Sequence, residues 1–268
     1  MPAWMNINPF LTLSESISAF SMQVFLIVMV VLVIGGTVLD MIHKKNVKYF
    51  FNNAKKLKEV SKRKVGAVEA ATIVTKTVAH DVLTSAEFCG WTRRLTHLLG
   101  MYGTIIFWVT SFILVFCHAT TTSPQAPTIL SQLWHIGALM TCVGGFWYWL
   151  FQRANVRVGG NPWYQIVFAD LFILSLVATT TFGLVWSYFQ TMQMTILSNL
   201  FLVLFILSNI ILFGGVYWSK FAHMFYKPGA AIQKNLAKAD GSRDHLPAPA
   251  DKPAEFGLGI KREAPRHY

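Results

Sequence analysis

The stretch AFSMQVFLIVMVVLVIGGTVLDMI, Ala19–Ile42, holds one charged residue, Asp40, and is followed directly by HKKNVKYFFNNAKKLKEVSKRK, residues 43–64. About 20 apolar residues in a row suffice to cross the hydrocarbon core of a bilayer as a helix. The second stretch, with nine Lys or Arg and one Glu, is the basic flank that membrane proteins keep on the cytoplasmic side. A membrane span ending in a basic loop is the first reading, and the rest of the chain extends it.

Four more apolar runs follow, at Leu98–Cys117, Leu133–Phe151, Trp163–Tyr188 and Ile196–Tyr217, the last continuing helically towards Tyr226. Only 13% of the 268 residues are charged, against roughly 25% in a soluble domain. Mean hydropathy is +0.46. The fold class expected is all-α: an integral membrane five-helix bundle with cytoplasmic surface helices and a flexible C-terminal tail. The formal charge of +11 then marks membrane orientation and not nucleic-acid binding. Cationic loops follow the first, third and fifth spans, whereas ATTTSPQAPTILSQ and QTMQMT carry no formal charge. The N-terminus is expected outside, and the loop and the C-terminus in the cytoplasm. The N-terminal stretch MPAWMNINPF lacks the basic start of a cleaved signal peptide, so the first span is expected to stay in the protein. The three cysteines show no metal spacing.

Residues 1–228 are expected as the transmembrane domain, with the connection 44–96 as surface helices at the membrane face or on a partner. Residues 229–268, containing PAPADKPAEF, read as a cytoplasmic Pro-rich tail that is extended when alone. Its Phe256, Leu258 and Ile260 are expected to anchor a protein partner. The basic run 44–64 is expected to meet anionic lipid.

Four of the eight histidines fall at span ends. His97 and His223 lie at the cytoplasmic depth, His118 and His135 at the outer one. Ionisable groups at such positions are usually functional. One imidazole from each of two helices at one depth is the ligand set of b-type haem. Gly100 and Gly103 follow His97, and Gly214 and Gly215 precede His223, leaving room for a porphyrin. Arg93, Arg94, Lys220 and Lys227 are placed to meet its propionates. The alternative is interface histidines with their rings snorkelling to water and glycines that pack helices. His118 and His135 would hold a second haem, line a quinone pocket or face water. Asp170, expected two turns into the fourth span, needs a partner: Arg93 or Arg94, or the Nδ1–H of a ligating histidine.

HDVLTSAEFCGWTRRLTHLLGMYG, ADLFILSLVATTTFG and SKFAHMFYKP resemble the membrane cytochrome b subunits grouped with the gamma subunit of respiratory nitrate reductase. The resemblance covers about residues 19–228 and is nearest to the membrane subunit of the quinone-interacting oxidoreductase of sulfur metabolism. It implies electron exchange between a quinone and a cytoplasmic iron–sulfur or flavin enzyme through haem b, in a bacterial or archaeal cytoplasmic membrane. Two features depart from that pattern. Neither MYGTIIFWVTSF nor ILSNLFLVLFIL contains the further histidine of the relatives, and the CxxCxxC pattern of the ferredoxin-like domain that the resemblance implies does not occur in this sequence. A five-helix form without that domain is similar to the membrane anchor of adenylylsulfate reductase. Two rival readings are a cofactor-free anchor that only recruits a soluble complex, and a small transporter. The absence of inverted repeats and broken spans weighs against the transporter.

Overall fold

The computed structural model describes residues 2–86, 88, 90–157, 159–219, 221–242, 255–256 and 260–261. In chain order its longer helices are α1 (Ala19–Lys44), α2 (Asn46–Glu59), α3 (Ala67–Lys76), α4 (Trp91–Cys117), α5 (Thr128–Trp147), α6 (Leu171–Thr191), α7 (Thr195–Gly214) and α8 (His223–Ala239). Among the described residues, five segments are long and apolar enough to cross a membrane: α1, α4, α5 extended to Gln152, α6 with the turn before it, and α7. The chain is a multi-pass, all-helical membrane protein. It divides into two compact units, residues 1–39 with 95–221, and residues 40–94 with 222–268. The connection 44–96, grouped with the spans in the sequence reading, thus falls almost wholly in the second unit.

The first unit is the bundle. Small residues set its helix spacing, since lipid tails provide no hydrophobic drive for helices to associate. A Cβ on Gly103 of α4 would stand 2.7 Å from the Thr141 backbone nitrogen and 2.8 Å from the Gly137 carbonyl oxygen of α5. A Cβ on Gly144 of α5 would stand 2.8 Å from the Gly100 nitrogen and 2.9 Å from the Thr96 oxygen. The two backbones therefore touch along α4–α5. Hydroxyl pairs add to this, Thr104 of α4 with Thr141 of α5 at 3.4 Å and, between α6 and α7, Thr179 with Ser208 at 3.2 Å.

Aromatic clusters fill the rest. Towards the uncharged end, Phe107, Trp134, Trp186 and Phe205 are buried together. Phe10 reaches this cluster from the N-terminal segment, its ring 5.7 Å from Trp134 and 5.8 Å from Trp186. Towards the other end, Phe213 and Phe221 pack with Trp108 and Phe172.

Three expectations of detail are corrected. Helix α7 does not run on towards Tyr226. It stops at Gly214, where the Gly215 N–H bonds the Ile211 carbonyl at 2.8 Å and the chain turns before α8. The turn buries Val216 and Phe221 completely. The fourth span becomes helical only from Phe168, not from Trp163, because Pro162 and the Asp170 contacts hold the preceding residues as a loop. The tail is not extended from residue 229, since α8 continues to Ala239. The run AAIQKNLAKA is rich in Ala, Leu, Lys and Gln, which are good helix formers, and this outweighs Pro228 in the second turn.

In the second unit α3 continues as a π-helical turn, Thr77–Leu83, against which α8 packs. Asn235 of α8 donates to Thr77 Oγ1 and to Asp81 Oδ2, both at 2.9 Å. The Lys62 and Arg63 N–H groups donate to the Asp240 carbonyl, fastening the end of α8 to the loop after α2. Beyond Ser242 the described residues are two short strands, Glu255–Phe256 and Ile260–Lys261, paired antiparallel. Leu258 and the remainder of the Pro-rich tail lie outside the described residues.

Candidate functional site

The expected ligands distribute over both units: His97 lies in the bundle on α4, and His223 opens α8 in the second unit. Gly100, one turn on from His97, has no atom within 4 Å of where a Cβ would sit, so the helix is open there to a flat group. Gly103 offers no such room, being closed by α5. Gly215 does not share a helix with His223, since the turn after α7 separates them. Two neutral imidazoles would suit haem iron by donor chemistry, and on the His97 side the space beside Gly100 is not closed by another helix.

The expected propionate partners already have contacts. The Arg93 guanidinium lies 5.6 Å and the Lys227 ammonium 5.1 Å from the Phe88 ring centre, so both cations flank one aromatic face. Arg94 Nε donates to the Thr84 carbonyl at 2.7 Å. Lys220 lies outside the described residues.

The outer histidines differ from each other. His118 follows α4, its Nδ1 2.7 Å from the Pro124 carbonyl, and its own carbonyl accepts from Asn8 Nδ2 at 2.9 Å. His135 is completely buried. Its Nδ1 lies 2.7 Å from the Ser131 carbonyl and its Nε2 2.8 Å from Ser187 Oγ. A carbonyl only accepts, so Nδ1 carries the proton, and in the neutral ring Nε2 accepts from the Ser187 hydroxyl. The rings of Trp4 and Trp134 each meet it edge-on at 4.8 Å. Both nitrogens have partners and two indoles close the sides, which does not fit a second haem.

A cavity of about 400 Å³ adjoins His135, with Trp4, Leu139, Leu184, Tyr188 and Phe189 in its walls. The N-terminal segment forms one side of it. Two anchors hold that segment: Asn8, which caps the helix Pro9–Leu13 by accepting from the Phe10 N–H, and Gln132, which donates to Asn6 Oδ1 at 2.8 Å. Nothing in the apolar pattern of the first dozen residues marks them as a wall of a cavity.

Asp170 has a partner that the sequence reading did not name. Arg153, at the end of the π-helical turn Tyr148–Gln152, forms a buried ion pair with it. The same guanidinium donates to the Gln165 carbonyl at 2.7 Å and stands 4.0 Å over the Trp149 ring. Asp170 Oδ2 also accepts the Val167 N–H at 2.9 Å. Neither Arg93, Arg94 nor a histidine fills this role. Because the fourth helix starts late, Asp170 sits at its first turn and not two turns inside. The unit 40–94 with 222–268 holds a further buried carboxylate, Asp40, paired with Lys44 and accepting from the Tyr226 hydroxyl at 3.0 Å. Burial, with Asp40 beside it, pushes the Tyr226 hydroxyl up to about 12.

The fold and these contacts define a multi-pass membrane protein with one apolar cavity described at the uncharged end of its bundle. No protein-family model, curated protein or solved structure matches the chain.

Proposed function

We propose that the chain is the membrane subunit of a redox complex, passing electrons between a quinone and a cytoplasmic iron–sulfur or flavin enzyme. The cavity beside His135 is the observation that supports this reading best. Its volume of about 400 Å³ lies in the range of small-molecule pockets and suits a quinone ring with the start of its isoprenoid chain. Trp4, Leu139 and Phe189 would exclude water from the ring, and Tyr188 brings a hydroxyl that can donate to a quinone carbonyl. Reduction of the quinone to the quinol takes up two electrons and two protons. His135, fixed as the Nδ1–H form by Ser131 and Ser187, acts as a wall and not as a proton carrier. When bound, b-type haem supplies one-electron transfer; His97 and His223 are the candidate ligands, as the sequence resemblance implies.

A second reading is supported by the glycines. Gly103 and Gly144 serve helix contact, as they would in a cofactor-free anchor of a soluble complex. A pyridine haemochrome assay on the purified full-length protein separates the two. The redox reading expects b-type haem, lost in His97→Ala and in His223→Ala and kept in His80→Ala. Absence of haem from the wild-type protein leaves the anchor alone.

The proposed orientation puts the basic unit in the cytoplasm, following the charge asymmetry of the loops. A cysteine introduced at Lys58 should stay unlabelled by an impermeant reagent in intact cells and react after lysis. Labelling in intact cells reverses the orientation.

A further inference from the structure

Helix α1 ends at Lys44, Lys45 takes a left-handed backbone conformation at φ 52°, and α2 starts at Asn46. This corner directly follows a membrane span, so it lies at the level of lipid headgroups by chain connectivity alone. Lys45, Lys48, Tyr49 and Asn52 line a depression of about 270 Å³ there. Lys48, Tyr49 and Asn52 lie on one side of α2 by their spacing, and Lys45, the residue before the helix, closes the same depression. Val47, Phe50, Ala54 and Leu57 form the other, half-buried side, and a Cβ on Gly229 of α8 would come within 3.9 Å of the Phe50 ring. The polar side is left to solvent, with Tyr49 72% exposed.

Lys44 is paired with Asp40, whereas among the described residues neither Lys45 nor Lys48 has a carboxylate partner. Two ammonium groups, a carboxamide and a phenol converging on one depression form a donor set without an anion. A phosphodiester satisfies it, and an interfacial tyrosine lies naturally against the glycerol region of a lipid.

We propose that this corner is a binding site for the phosphate of an anionic phospholipid, with Lys45 and Lys48 on the phosphate and Tyr49 and Asn52 on the headgroup. The site is independent of the redox reading. A zwitterionic lipid is disfavoured there because its ammonium would face the lysines. Retention on the full-length protein is measured by native mass spectrometry after release from nanodiscs in which phosphatidylglycerol is titrated into phosphatidylcholine. Each lysine near the surface contributes about fivefold in affinity, so Lys45→Gln with Lys48→Gln should weaken phosphatidylglycerol retention roughly 25-fold. Lys45→Arg with Lys48→Arg should retain it, and Lys55→Gln with Lys56→Gln, which removes the same charge outside the depression, should reduce it far less. Equal losses in the two glutamine pairs, or no loss in the first, overturn the site. Displacement of the lipid by millimolar inorganic phosphate would also overturn the assignment to lipid, leaving a site for the free anion. If the first pair fails to insert, Lys48→Gln alone decides, with an expected loss of about fivefold.

Discussion

Asp170→Ala should destabilise the bundle by about 3–5 kcal/mol, the usual cost of leaving one member of a buried ion pair without its partner. Arg153 is 3% exposed and Asp170 6%, so the orphaned guanidinium cannot turn to water without dragging the loop with it. The loss extends beyond the pair, because Asp170 also accepts the Val167 N–H and Arg153 binds the Gln165 carbonyl. The loop 159–167 would lose these tethers at the same time. Arg153→Met combined with Asp170→Leu should recover most of the loss, since apolar replacements of a buried pair are often neutral or better. Thermal unfolding of the wild type, Arg153→Met, Asp170→Leu and the double variant in one detergent gives the cycle. Additive single and double losses would mean that the two residues do not act together.

Gly103→Leu should prevent the native α4–α5 contact from forming. Beside Thr141 Oγ1, the atoms facing a Cβ there are the Thr141 nitrogen at 2.7 Å and the Gly137 oxygen at 2.8 Å, and backbone cannot rotate away as a side chain can. Even Gly103→Ala should exceed the roughly 1–3 kcal/mol typical of overpacking. Gly100→Ala provides the contrast from the same helix. It meets nothing within 4 Å and gains up to about 1 kcal/mol of helix propensity, so it should be neutral or slightly stabilising. Unfolding midpoints of the two alanine variants, measured side by side, test this difference. Similar midpoints would show that the helices are not in backbone contact.

The spans were legible because hydrophobicity over 20 residues is a property of composition, and a bilayer reads little else. Their ends were less so. Pro162 and the pair Gly214–Gly215 were available as stop signals, yet apolar residues on either side masked them. Arg153 was visible only as a boundary cation in QRANVRVGG, since its partner lies 17 residues away across an irregular loop. The two glycines near His97 look alike in sequence, and only the position of α5 separates a packing glycine from an open one. For His135 the sequence left a haem, a quinone pocket and water all open, because its two serine-borne partners come from its own preceding turn and from α6. The second of these contacts links residues 52 positions apart, which no local pattern encodes.

The N-terminal segment has a consequence for how the protein is made. Trp4 rests on His135 and Tyr188, Asn8 on the carbonyl of His118, and Phe10 on Trp134 and Trp186. Those partners belong to the second, third and fourth spans, so the segment has no complete docking surface until the ribosome has passed α6. These residues emerge before the spans they dock on and must wait, apolar side chains undocked, until α6 has been made. A bulky fusion at this end would therefore interfere with the closing step of assembly while leaving the insertion of the individual spans untouched.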